Sequence, residues 1–227
     1  MVPSILGPYI YSVFLFDGGC MIKRIIFDID DTLIKFPVEF KEMYESIIRE
    51  NKLDISYKDL FKAIDKYEEC KKYTYYNKKD LIDVINKSLN LNLDVTFLNS
   101  FLKKYNKLIT PVPIDTIETL KYLKNKYELV ILSNWFTDSQ ISRLKCAGIY
   151  GYFSQVLCAD KTPMKPYKEA FIEACGNHSL DECVMVGDSL KSDIEVPYSL
   201  GMNVYYLTNK ESKYPSIKKI SDLKELL

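Results

Sequence analysis

The feature that most constrains this chain is a rhythm of short, largely apolar runs separated by amphipathic stretches. The runs fall at residues 22–28, 129–133, 153–158, 182–186 and 203–207. Runs this rich in β-branched and aliphatic residues read as strands buried on both faces, whereas a half-wet strand would alternate. Residues 115–126, 138–146 and 167–175 carry helical spacing, the first with Asp115 near its N-cap and the other two closed near Gly148 and Gly176. A further helical stretch runs on to Gly201, and residues 203–207 are expected as the last strand, with Tyr205 and Tyr206 packing a sheet edge. Strands alternating with helices specify an α/β fold, a parallel sheet covered by helices on both faces.

One long segment breaks the rhythm. From residue 36 to 108 apolar residues recur every three or four positions, as in Leu81, Ile82, Val84, Ile85 and Leu89, and no convincing strand occurs. The spacing predicts about four helices inserted into the α/β core, which then comprises residues 21–35 and 109–227. A chain of 227 residues suits one domain with a sizeable insert. Residues 1–20 stand apart. Their apolar stretch contains Gly7 and Pro8 and no Lys or Arg precedes Lys23, so the segment lacks the positive start of a secretory signal. Met21 directly precedes the first strand, and residues 1–20 are expected to be an extension outside the fold.

Composition closes several routes. Thirty-one basic and 31 acidic side chains cancel, which argues against a face built to grip nucleic acid. A single histidine, His178, rules out two-histidine zinc sites and reads as a surface loop residue, so catalysis is expected to run on carboxylates. The six cysteines include no C-x-x-C pair, and several sit inside apolar runs; reduced thiols and a cytoplasmic setting are expected. No apolar stretch reaches 18 residues, so no membrane span is expected.

Four groups fall at the C-terminal ends of predicted strands, where open α/β sheets place their sites. Asp28-Ile29-Asp30-Asp31-Thr32 comes first. Residues two apart on extended chain lie about 6.6 Å apart on one face, so Asp28 and Asp30 can address one reacting centre. Acids and a threonine capping the next helix are the plain alternative. Ser133-Asn134 offers a hydroxyl and an amide, or ordinary turn chemistry. Lys165-Pro166 is a cation ahead of a helix, or a simple helix entry. Gly187-Asp188, with Asp193 further on, offers close backbone approach and two carboxylates suited to a hard cation, or loop caps.

In this order the four groups resemble the motifs of the haloacid dehalogenase-like superfamily, whose first motif is D-x-D-x-T, over residues 22–35 and 110–210. The resemblance implies a Rossmann-like sheet with a helical cap after the first motif, matching residues 36–108. It also implies a Mg²⁺-dependent phosphatase for a small phosphorylated metabolite. Asp28 would be the nucleophile and form an aspartyl-phosphate, and Asp30 would be the acid that protonates the leaving oxygen and then activates water. Thr32, Ser133, Asn134 and Lys165 would hold the phosphoryl oxygens. Mg²⁺ would be bound by Asp28, Asp188 and the backbone carbonyl of Asp30, with Asp193 in or beside its coordination sphere. Neither nucleic acid nor membrane is expected as a partner.

Asp30 favours phosphate esters over halides, because dehalogenases sharing the fold lack that second acid. A phosphomutase or nucleotidase of the same superfamily, a non-catalytic binding module and a phosphoacceptor signalling domain are the alternatives. Three departures from the family pattern stand out: Asp31 where glycine is common, Trp135 where a small residue would leave the pocket wider, and Pro197 inside the last helical stretch. Pro197 requires that helix to start close by. Residues 71–79 mix cations and tyrosines and read foremost as a solvated inter-helix turn, with contact to a leaving group as the second reading. Residues 140–144, followed by Gly148-Ile149 and Tyr152-Phe153, resemble the nucleotidase branch, a pattern that other phosphatases share in part.

Overall fold

The computed structural model describes residues 21–69 and 74–227. The expected extension, residues 1–20, lies outside the described residues, as do Cys70, Lys71, Lys72 and Tyr73. The core strands are β1 (Arg24–Phe27), β2 (Glu128–Ser133), β3 (Gln155–Cys158), β4 (Cys183–Gly187), β5 (Asn203–Leu207) and β6 (Ser216–Ile217). They form one sheet in the order β3-β2-β1-β4-β5-β6, and every pairing is parallel. This is the Rossmann-like arrangement. The short β6 lies at the edge beyond β5, so Tyr205 and Tyr206 belong to the strand next to the edge. Two residues flanked by Pro215 and Lys218 carry too little periodicity to be read as a strand in advance.

Alternation along the buried strands feeds two apolar clusters, one on each face. Ile25 and Phe27, Leu129 and Ile131, and Val184 and Val186 share one; Ile26, Leu132, Met185 and Val204 share the other. The core helices are α5 (Ile114–Lys124), α6 (Thr137–Cys146), α7 (Lys168–Cys175), α8 (Glu195–Ser199) and α9 (Leu223–Leu226). Helix α5 starts after Pro113, and Asp115 sits in its first turn rather than at the cap. Its carboxylate there accepts the Thr116 backbone N–H at 2.8 Å, meeting the unpaired donors of a helix start. Pro197 is the third residue of α8, which continues directly from a π-helical turn over Leu190–Ile194.

Between β1 and α5 lie the inserted helices α1 (Phe40–Glu50), α2 (Tyr57–Glu69), α3 (Lys78–Leu89) and α4 (Val95–Tyr105). Their apolar stripes meet in one aromatic-rich cluster that also takes in Trp135, Phe136, Ala159 and Met164 from core loops. Two backbone hydrogen bonds tie the α2–α3 connection to those loops, Met164 N–H to Thr74 O at 2.8 Å and Tyr76 N–H to Ala159 O at 2.6 Å. Tyr76, read from sequence as part of a solvated turn, is buried against Tyr67, Trp135 and Phe136. Trp135 is buried in the same cluster and does not line the cleft between the motif residues. Among the described residues no helix is long and apolar enough to cross a membrane.

Candidate active site

The strand order decides where the polar groups meet. Strands β2 and β3 extend the sheet on one side of β1, and β4 opens the other side, which makes the β1–β4 boundary a switch point where the connecting loops diverge. Phe27 pairs in register with Ile131 and Val186, so the residues just beyond β1, β2 and β4 emerge together. They line a cleft of about 190 Å³ with Asp28, Asp30, Ser133, Asn134, Lys165, Asp188 and Asp193 in its wall. A larger hollow of about 340 Å³ between α4 and α6 contains none of these residues.

Lys165 is the hub. Its ammonium is buried and donates to Asp28 Oδ1 at 2.7 Å and to Asp193 Oδ1 at 2.6 Å. Asn134 braces it through both ends of its amide: Oδ1 accepts the Lys165 backbone N–H and Nδ2 donates to the Lys165 carbonyl, each at 2.7 Å. Burial works against the Lys165 charge, but the Asp193 and Asp28 carboxylates outweigh it and raise its affinity for the proton. The same burial pushes Asp28 well above the usual carboxylate range, with Lys165 opposing. Asp188 is also raised by burial, against a hydrogen bond from the Thr32 hydroxyl at 2.9 Å.

One oxygen from each of Asp28, Asp188 and Asp193 lies within 4.8 Å of the others. An all-oxygen set with this surplus of negative charge fits a hard divalent cation such as Mg²⁺. Gly187 is part of that fit. A Cβ built there would stand 2.3 Å from Asp193 Oδ2, so only glycine lets this carboxylate fold back beside the strand end. Asp193 Oδ2 then accepts the Ser189 backbone N–H at 3.0 Å. Asp31 holds a left-handed backbone, φ 57°, a conformation that glycine adopts without the strain a Cβ brings.

Two expected phosphate ligands spend their side-chain donors elsewhere. The Thr32 hydroxyl is given to Asp188, and the Asn134 amide to Lys165 and, at 3.1 Å, to Glu68 Oε2. Four further residues were not read as site residues from the sequence, although Gln140 and Arg143 lie in the segment that carries the nucleotidase resemblance. Glu68, at the end of α2, reaches the cleft and accepts from the Tyr76 hydroxyl; burial raises its proton affinity. Gln140, Arg143 and Tyr105 surround Asp30: Gln140 Nε2 donates to Asp30 Oδ2 at 2.7 Å, the Tyr105 hydroxyl to Oδ1 at 3.2 Å, and the Arg143 guanidinium pairs with the same Oδ1. A polar pair three residues apart on the buried side of α6 was a visible signal for Gln140 and Arg143. Glu68 follows Ile64 by one turn and stands where the apolar stripe predicts another hydrophobe.

A family model described as haloacid dehalogenase-like hydrolase matches residues 22–197. The chain is 24% identical over 230 residues to the pyrimidine 5'-nucleotidase YjjG of Escherichia coli, covering 89% of this chain and 96% of that one. It is 28% identical over 191 residues to a glyceraldehyde 3-phosphate phosphatase of Methanocaldococcus jannaschii, covering 80% and 83%. The magnesium-bound structure of the HAD-hydrolase YfnB of Bacillus subtilis superposes with a TM-score of 0.70 at 16% identity, covering 91% and 99% of the two chains, a likeness of fold. With the motif residues gathered at one switch point and the family model spanning most of the chain, this protein belongs to the haloacid dehalogenase-like hydrolases.

Proposed function

We propose that the protein is a Mg²⁺-dependent phosphatase that hydrolyses a small phosphorylated metabolite through an aspartyl-phosphate on Asp28. The observation that carries this reading is the convergence of Asp28, Asp188 and Asp193 within 4.8 Å, with the Lys165 ammonium 2.7 Å from Asp28. Bound Mg²⁺ would supply charge neutralisation for the phosphoryl oxygens and keep Asp28 ionised; Asp28, Asp188 and the Asp30 carbonyl would hold it, with Asp193 in or beside its coordination sphere.

The chain's own groups supply the rest. Asp28 attacks phosphorus in line, and the leaving oxygen departs with a proton from Asp30. Asp30 then takes a proton from the water that attacks the aspartyl-phosphate, which releases phosphate and returns Asp28. Lys165 has one ammonium hydrogen beyond those given to Asp28 and Asp193, and it points the positive charge at the phosphoryl oxygens. Ser133 donates its hydroxyl hydrogen to the same group. Thr32 and Asn134 serve by holding Asp188 and Lys165, a narrower part than four direct phosphate contacts. Helices α1–α4 act as a cap that encloses the leaving group, and Glu68 is the described cap carboxylate in the cleft. The free thiols of Cys146, Cys158, Cys175 and Cys183 suit a cytoplasmic protein.

A panel of phosphate monoesters tests the reading, with nucleoside monophosphates, glyceraldehyde 3-phosphate, sugar phosphates and p-nitrophenyl phosphate assayed with and without Mg²⁺. Turnover is expected only with the metal. Asp28→Asn should lower kcat by at least about 10⁴-fold while leaving the circular dichroism spectrum intact. Wild-type activity retained in that variant would overturn the assignment.

A further inference from the structure

Arg143 is completely buried, although it lies on a helix of an α/β core where an apolar residue would fill the space at lower cost. Its Nη1 serves Asp30 Oδ1, Gln140 Oε1 at 2.9 Å and the Tyr105 oxygen at 3.3 Å, whereas Nε and Nη2 have no hydrogen-bond partner among the described residues. The rings of Tyr105 and Phe36 flank the guanidinium carbon at 4.6 and 5.7 Å. A charge this expensive, held by two rings and with two unmet donors, is poorly explained by stability.

The donor inventory explains it. Arginine accepts no hydrogen bond, so the side of the Gln140 amide that faces it must be the oxygen. The NH₂ group is then forced the other way, where it divides between Ser133 Oγ at 2.8 Å and Asp30 Oδ2 at 2.7 Å. Ser133 becomes an acceptor toward the interior, which leaves its own hydrogen for the cleft. Asp30 is gripped on Oδ1 by Arg143 and on Oδ2 by Gln140, so its carboxyl plane cannot rotate. Phe36 and Tyr105, which flank the guanidinium, also lie where the chain enters and leaves the inserted helices.

We propose that Arg143 is a positioning residue: through Gln140 it aims the Ser133 hydroxyl at the phosphoryl group, and directly it aims the Asp30 carboxyl at the leaving oxygen. This rests on the phosphatase reading above. The test compares p-nitrophenyl phosphate, whose phenolate leaves without a proton, with phenyl phosphate, whose leaving oxygen needs one. In Arg143→Met kcat should fall on both through Ser133, and at least tenfold further on phenyl phosphate through Asp30. Arg143→Lys should recover part of that extra loss. Urea unfolding monitors the fold, and if Arg143→Met does not fold, Gln140→Met is expected to give the same unequal loss.

Equal losses on the two esters in a folded variant overturn the proposal. So does a wild-type enzyme that cleaves p-nitrophenyl phosphate but not phenyl phosphate, since it would have no working acid to position. A wild-type protein that cleaves neither ester with Mg²⁺ refutes the phosphatase reading itself.

Discussion

The sheet end and the inserted helices are held together by opposite means. At the sheet end the buried groups are charged: Lys165, Asp193 and Asp28 are nearly or fully sealed from solvent and pair through the ammonium, and the sealed Arg143 pairs with the half-buried Asp30. Among the inserted helices the buried groups are rings and aliphatics, such as Tyr44 edge-on to Phe101 at 5.1 Å and Phe101 stacked on Tyr105 at 6.1 Å. Apolar packing is tolerant, because any set of similar volume restores most of it. A buried ionic network is intolerant, because removing one member leaves the others uncompensated. Under the proposed function, the contrast separates a region that would dictate chemistry from one that would be free to vary with the leaving group.

Lys165→Met should give the largest loss, since it strands Asp28 and Asp193 together. Metal-free protein should lose about 3–5 kcal/mol in urea unfolding, and turnover should collapse in the same variant. Leu81→Ala, in the fully buried stripe of α3, should cost about 2–5 kcal/mol through the cavity it leaves. Its kcat on p-nitrophenyl phosphate, measured well below the unfolding midpoint, should stay within a few-fold of wild type. If Leu81→Ala abolished turnover while Lys165→Met spared it, the division between the two regions would be wrong.

Magnesium sharpens the comparison at the sheet end alone. At one hundred times its dissociation constant it should add about 2.7 kcal/mol of stability, and Asp188→Asn should remove most of that gain. The pH dependence has a defined sign. Asp28 and Asp188 are raised on folding above their ordinary value of 3.8, so without metal they bind more protons folded than unfolded. Their contribution is therefore full at low pH and is lost as pH rises through the folded values. Mg²⁺ competes with those protons, so its stabilising shift, followed by thermal melts, should grow as pH rises from the acid side. The smallest effect belongs to Asp31→Gly, which relieves a left-handed backbone. Its unfolding midpoint should lie on the stabilised side of wild type by no more than about 1 kcal/mol.

Much of the core was legible because its signals are local. The apolar run Ile25-Ile26-Phe27 reads as a doubly buried strand, and the acids after it need no tertiary knowledge to be placed at a strand's end. Tyr76 and Trp135 were not legible in that way. Which side an aromatic residue in a loop turns to depends on the surface it meets, and here each meets the other across two elements.

By itself the sequence determined the alternation of strands and helices, the helical insert and the strand-end positions of Asp28, Ser133 and Asp188, because hydrophobic periodicity acts within a few residues. Only the tertiary structure decided who partners whom. Asp30 is held by Tyr105, Gln140 and Arg143 from 75, 110 and 113 residues away. A buried polar group takes whichever donor the packing brings within about 3 Å, and no local pattern encodes that distance.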